Sequence, residues 1–253
     1  MNVVLALTLS ALAGLSTIIG SVLGIIFRKP GPRFMAATLG FSAGVMILVS
    51  FVELLQQGIR TIGFGPAHLA FFASMLMMFL LDNAIPHDYM AEHNLPGNIH
   101  INKNLARTGL LVALGIGIHN FPEGLAVFVG GLSNLKLGAA IAFAIALHNI
   151  PEGIAVSVPV YAATGSRRKA FIWSALSGLA EPLGAVVAAL LLLPFLNPGL
   201  LGIILSAVAG IMVFISIDEL VPTSRACGYE HLSIVDFVIG MMVMALSLWV
   251  MGP

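Results

Sequence analysis

Charge is what this chain has least of. Only 9% of its 253 residues are Asp, Glu, Lys or Arg, against roughly 25% in ordinary soluble domains. So few charges could not clothe a soluble globule of this length. The 11 basic and 11 acidic residues cancel, leaving no basic footprint for nucleic acid. A single cysteine, Cys227, excludes an internal disulfide framework and any CxxC site. The first residues carry no basic stretch. The apolar run that follows, about 25 residues long, exceeds the h-region of a cleavable signal, so the N-terminus is expected to be retained.

What is abundant is apolar surface. Hydrophobic residues make up 59% of the chain, in runs such as Met1–Phe27, Thr108–Gly131 and Gly199–Ile217. Each approaches the ~20 residues that cross a bilayer. The expectation is an all-α polytopic membrane protein with eight transmembrane helices, near 3–27, 34–57, 67–85, 108–130, 138–161, 171–194, 200–221 and 234–252. The longest connection, 86–107, is polar and contains His87, Asp88, Glu92, His93 and His100. The other connections are too short for a soluble module, so 1–253 reads as one transmembrane domain. With the N-terminus outside, nine Lys and Arg (Arg28, Lys29, Arg33, Lys103, Arg107, Arg167, Arg168, Lys169, Arg225) fall inside and two, Arg60 and Lys136, outside. Positive residues collect on the cytoplasmic side, so both termini are expected outside. The short loops suggest a bacterial inner (cytoplasmic) membrane.

The chain also repeats itself. Ala43-Gly-Val-Met-Ile-Leu-Val-Ser-Phe-Val-Glu-Leu54 resembles Ala209-Gly-Ile-Met-Val-Phe-Ile-Ser-Ile-Asp-Glu-Leu220, with Ala, Gly, Met, Ser, Glu and Leu in register at an offset of 166. Gly14-Leu15 and Gly20 similarly match Gly178-Leu179 and Gly184. The second and seventh helices run in opposite directions, so the repeat is inverted. The expected plan is 3+2+3: helices 1–3 and 6–8 related by an axis in the membrane plane, with helices 4 and 5 between them. Secondary transporters use such inverted repeats around a site at mid-depth.

Two hexapeptides concentrate the chemistry: His119-Asn-Phe-Pro-Glu-Gly124 and His148-Asn-Ile-Pro-Glu-Gly153. Each begins about ten residues into its expected helix, roughly halfway through a ~30 Å hydrocarbon core at ~1.5 Å per residue. His and Glu four apart share a helix face. Pro122 and Pro151 lack an N–H and so free the carbonyls of Ile118 and Leu147. Imidazole, carboxylate, amide and carbonyl make a ligand set for divalent metal. Glu181, followed by Pro182, adds a third carboxylate at depth, with no Lys or Arg from 108 to 135, 137 to 166 or 170 to 224. An ionised residue at the bilayer centre costs ~2.5–3.5 kcal/mol on insertion scales, so these groups must be protonated, hydrated or bound to cations. Three carboxylates, two imidazoles and two amides could bridge two divalent ions. Proline-kinked packing helices with neutral polar groups would not explain why the whole set is duplicated.

HNFPEG and HNIPEG on successive helices, with the GLAEPLG helix and the SFVEL/SIDEL pair, resemble the ZIP family of metal-ion transporters, and within it the bacterial zinc-uptake type. The resemblance runs over all eight helices. It implies one metal site from His119, Glu123, His148 and Glu152 and an adjoining one from Asn120, Glu123, Asn149, Glu152 and Glu181. It also implies an elevator-like movement of helices 1, 4, 5 and 6 against the rest. The cargo it implies is Zn2+ and Fe2+, with other divalent ions, carried as transported ions and not as catalytic cofactors. The residues agree. No thiolate lies in the helices, which disfavours Cu(I), whereas oxygen and imidazole suit Zn2+, Fe2+, Mn2+ and Co2+. Cd2+ belongs to the same broad expectation. Affinity should rise with pH, since each ligand sheds its proton before binding.

The remaining signals are weaker. The 86–107 loop either receives ions or is a solvated connection. Glu53, Asp218 and Glu219 could line the two mouths of a path, or be ordinary interfacial acids; Asp82 and His68 read as structural. Gly20-x-x-x-Gly24 and Gly40-x-x-x-Gly44 allow close helix approach. Gly40-Phe-Ser-Ala-Gly44 matches the hydrolase G-x-S-x-G pattern without its strand–turn–helix setting. An intramembrane metalloenzyme is the competing function, but no His is followed by Glu as H-E-x-x-H requires. Bis-imidazole haem ligation by His119 and His148 fits poorly beside so many glutamates and asparagines. The expected partners are divalent metal ions and membrane lipid, with a homodimer open and nucleic acid excluded.

Overall fold

The computed structural model describes residues 2–27, 31–84 and 105–251, and among them all regular structure is helical. Among the described residues eight helices follow one another: α1 (Val3–Phe27), α2 (Pro32–Ile62), α3 (Phe64–Ala84), α4 (Leu105–Ser133), α5 (Leu135–Thr164), α6 (Arg167–Phe195), α7 (Pro198–Ala226) and α8 (Glu230–Met251). Seven of them, α1–α3 and α5–α8, are long and apolar enough to cross a bilayer. The 29 residues of α4 extend about 43 Å at 1.5 Å per residue. Residues 85–104, which hold most of the polar 86–107 loop and its three histidines, lie outside the described residues.

Most helices run further than the apolar runs that announce them. The stretch expected at 34–57 is Pro32–Ile62, and 138–161 is Leu135–Thr164. Hydropathy marks the hydrocarbon slab, whereas the hydrogen-bonded backbone ends where a cap ends it. Asn134 accepts from the Lys136 amide at 2.9 Å, Ser166 from Lys169 at 3.3 Å and Asn197 from Leu200 at 2.9 Å. Left-handed Gly165 (φ +65) closes α5.

Three π turns were not anticipated: Ser50–Leu54 in α2, Ala188–Leu192 in α6 and Ser216–Leu220 in α7. The first and third are the two halves of the sequence repeat. Each opens on a buried serine whose hydroxyl donates to the carbonyl four residues back, Ser50 to Met46 and Ser216 to Met212, both at 2.7 Å. The serine's backbone N–H keeps its bond to the same methionine carbonyl, which therefore accepts twice, while the serine's own carbonyl takes the wider i→i+5 bond.

The helices pack in two groups. α1, α4, α5 and α6 lie on one another; α2 packs on α8, α3 on α7, and α2 on α7; the groups meet where α2 touches α5 and α7 touches α4. Contacts in the second group come in pairs. Gly44 lets the Phe237 carbonyl of α8 approach α2, and Gly210 lets the Phe71 carbonyl of α3 approach α7. Gly240 faces the Phe41 carbonyl, and Ser74 donates to the Ala207 carbonyl at 2.7 Å. Each member lies 166 residues from its counterpart: 44 and 210, 71 and 237, 74 and 240, 41 and 207. On the outside, α3 and α8 expose Leu69, Phe72, Leu80, Met242, Leu246 and Trp249, surface that suits lipid.

Candidate metal centre

The two hexapeptides lie near the middle of α4 and α5, and neither Pro122 nor Pro151 ends its helix. α1 and α6 close in around them through glycine. A side chain on Gly20 would strike the Ile150 carbonyl, and one on Gly184 the Phe121 carbonyl. Gly153 in turn admits the Thr17 carbonyl, and Gly124 the Glu181 carbonyl. Thus α1 lies backbone to backbone on α5, and α6 on α4, at equivalent positions of the two motifs.

This packing buries Asn120, Glu123, His148, Asn149 and Glu181 completely and leaves Glu152 2% exposed. His148 Nδ1 lies 3.2 Å from the Ala144 carbonyl. A carbonyl only accepts, so Nδ1 carries the proton in that bond and Nε2 is the nitrogen turned to the centre. Nε2 stands 3.1 Å from Glu123 Oε1 and 4.0 Å from Glu152 Oε1. α4 and α5 therefore meet, imidazole to carboxylate, as the motif spacing requires.

The two amides are oriented by the same logic. Asn120 donates through Nδ2 to the Ser177 carbonyl at 3.3 Å, and Asn149 to the Ala13 carbonyl at 3.1 Å and to Glu181 Oε1. With both NH2 groups held by acceptors, both Oδ1 atoms are left facing elsewhere. Among the described residues Asn120 Oδ1, Asn149 Oδ1, Glu123 Oε2 and Glu181 Oε2 are buried with no hydrogen-bond partner. An uncompensated polar group costs roughly 1–3 kcal/mol in protein, so four together are a demand for a cation. The side chain of His119 lies outside the described residues. Among those described, no three His, Cys, Asp or Glu side chains are gathered closely enough to hold an ion by themselves.

The backbone acceptors Ala13 and Ser177 were not legible in the sequence, since every residue has a carbonyl. The glycines of α1 and α6 were the available signal. Of the peripheral candidates, Glu53 is half-buried and lines a cavity of about 390 Å3 with Gln56, Gln57, Arg60, Lys136 and Trp249. That cavity brings together the ends of α2 and α8 and the α4–α5 junction. Asp218 is exposed and Glu219 half-buried in the α7 π turn. His68 is structural: its Nδ1–H donates to the Phe64 carbonyl at 2.8 Å, and its ring lies 3.9 Å from that of Phe64. Gly40 and Gly44, within the hydrolase-like pattern, serve packing of α2 on α8.

Known proteins resemble this chain over most of its length. The family described as ZIP Zinc transporter matches residues 91–248. Proteins named "Zinc transporter ZupT" are similar along nearly the whole chain. The one from Chlorobium phaeovibrioides is 51% identical over 256 residues, covering 96% of each chain. That of Corynebacterium efficiens is 46% identical over 260 residues, covering 98% of this chain and 97% of its own. That of Streptococcus mutans is 48% identical over 259 residues, covering 96% of each. Likeness of this extent leaves no place for an intramembrane enzyme: the chain belongs to the ZIP zinc transporter family, whose members are transporters.

Proposed function

We propose that this protein takes up divalent metal ions, Zn2+ foremost and Fe2+, Mn2+, Co2+ and Cd2+ with it, through a binuclear centre at mid-membrane. Its ligands are His119, Asn120, Glu123, His148, Asn149, Glu152 and Glu181, with Glu123 and Glu152 shared between the ions. The observation that carries the reading is the group of four buried oxygens without hydrogen-bond partners, on Asn120, Glu123, Asn149 and Glu181. Imidazole with carboxylate and amide oxygen is a borderline-to-hard set, suited to these cations and permissive among them.

The whole chain, 1–253, acts as one unit in the inner (cytoplasmic) membrane, with both termini outside. Arg60 and Lys136, the two outer cations of that orientation, line a single cavity, as residues of one face should. The 3+2+3 plan is supported by the contacts paired at an offset of 166 and by the π turns at Ser50 and Ser216. Transport proceeds by alternating access, with α1, α4, α5 and α6 moving against α2, α3, α7 and α8. The two packing groups support this division. So do the glycine contacts, which weld α1 and α6 to the helices that carry the motifs and let the centre travel as a rigid body.

Purified protein in sealed vesicles of known orientation tests the reading. Zinc should fill wild-type vesicles faster than protein-free ones; tight zinc binding without flux would defeat transport as the function. Glu181→Ala keeps both shared glutamates and removes oxygen from one site alone. Its Zn2+ and Fe2+ uptake rates should therefore change in ratio, and an unchanged ratio would remove Glu181 from the ligand set.

A further inference from the structure

α1 and α6 correspond at an offset of 164. Gly14 pairs with Gly178 and Gly20 with Gly184. The carbonyls that hold the two asparagines, Ala13 and Ser177, also differ by 164. The correspondence extends to side chains. A methyl built on Gly14 would stand 3.4 Å from Glu181 Cβ; one built on Gly178 would stand 2.9 Å from Thr17 Cβ and 3.3 Å from Thr17 Oγ1. Thr17 is thus to Gly178 what Glu181 is to Gly14. Glu181 reaches Asn149 of α5; under the proposed pseudo-two-fold relation the corresponding partner of Thr17 would be Asn120 of α4.

Thr17 is 0% exposed, and its Oγ1 has no hydrogen-bond partner among the described residues. A buried threonine in a helix ordinarily satisfies its hydroxyl on the carbonyl four residues back. Here that carbonyl, Ala13, is engaged by Asn149 Nδ2 at 3.1 Å and by the Ser16 hydroxyl at 2.5 Å. The Thr17 hydroxyl is left free by the same contact that aims Asn149 at the centre.

We propose that Thr17 supplies a neutral oxygen ligand to the metal centre, as the uncharged counterpart of Glu181 on the opposite side of the pseudo-two-fold axis. The proposal rests on the ligand set given above and adds a residue of α1 to it. Its chemical consequence is selective. Zn2+ is satisfied by four ligands, whereas Mn2+ favours six oxygens. A neutral hydroxyl oxygen therefore matters more to Mn2+ than to Zn2+, and helps make the site permissive.

The test is calorimetric binding of Zn2+ and of Mn2+ to the purified full chain in detergent. Thr17→Val preserves shape and removes only the hydroxyl; Thr17→Ser removes the methyl and keeps the hydroxyl. Thr17→Val should weaken Mn2+ binding by about tenfold, in the range of a lost supporting ligand, and Zn2+ binding by less. Thr17→Ser should bind both ions as the wild type does. The metal-free Thr17→Val protein should unfold at no lower temperature, since an uncompensated buried hydroxyl has been removed. Wild-type Mn2+ and Zn2+ binding by Thr17→Val, or the same loss in Thr17→Ser, would overturn the proposal. Glu152→Ala, measured beside them, separates the two levels. Undiminished zinc binding there would overturn the ligand set and this proposal together. Zinc binding lost there, with Thr17→Val unaffected, would overturn this proposal alone.

Discussion

Replacing Glu152 by alanine should bring zinc uptake down to the level of protein-free vesicles, a loss of ~100-fold or more given what even supporting ligands contribute. Glu152 is 2% exposed, one helical turn from His148, with Oε1 4.0 Å from the imidazole Nε2. In the proposed ligand set it is shared by both ions, so its loss would not be confined to one site. The substitution should not harm folding: it removes a carboxylate whose insertion costs ~2.5–3.5 kcal/mol at the bilayer centre when ionised, and alanine is the best helix former. Two measurements separate function from folding. Metal-free melting should match the wild type. Added zinc should stabilise the wild type by about 2.7 kcal/mol at a hundredfold excess over Kd and the variant hardly at all. Normal uptake by a correctly inserted Glu152→Ala protein would sink the shared-ligand reading.

Gly124→Ala should be nearly as damaging, for a reason that has nothing to do with ligand chemistry. By helix propensity alone the change gains roughly 1 kcal/mol. In place, the new methyl would overlap the backbone carbonyl of Glu181, with Glu181 C at 2.5 Å and Cα at 2.7 Å. Backbone atoms cannot swing aside as a side chain does, so α4 and α6 must part. Parting them carries Glu181 away from Asn149 and costs ~1–3 kcal/mol as overpacking does. The expected result is a lower melting temperature together with weakened zinc binding. Gly65→Ala, where an added methyl meets nothing within 4 Å, is the control and should leave both unchanged. Wild-type melting and zinc titration of Gly124→Ala would show that the close approach of α4 and α6 is not needed.

The parts of this fold legible in the sequence are those that repeat at a fixed period or carry rare chemistry. Apolar runs of about membrane length located eight helices, and HNFPEG and HNIPEG pointed to the buried polar cluster of α4 and α5. Helix ends were less legible: Asn134, Ser166 and Asn197 hold first turns that lie beyond the apolar runs. The π turns escaped because hydropathy does not register which donor a carbonyl accepts. A serine repeated at positions 50 and 216 was visible, but its bond to the carbonyl four back was not. Thr17 escaped for a related reason. A lone threonine in an apolar helix has no pattern of its own and acquires one only when Gly14 and Gly178 are seen to face Glu181 and Thr17 in turn. From sequence, Glu53 reads either as an acid at a mouth of the path or as an ordinary interfacial acid. It lines a cavity whose other charges, Arg60 and Lys136, are positive, a balance that no reading of one helix at a time reveals.

The π turns also carry information about time. Such a turn holds one residue more than the α-helix would need, and single extra residues are the small change left by an insertion. Finding the same surplus in α2 and α7, opened by the same serine bond to the same methionine carbonyl, dates it on the proposed doubling. If the two halves arose by that doubling, the surplus was present in the unit before it was copied. On that same reading, Thr17 of α1 and Glu181 of α6 are a pair at which the two halves differ. The irregularity the two halves share would then be older than the difference between them at the proposed centre.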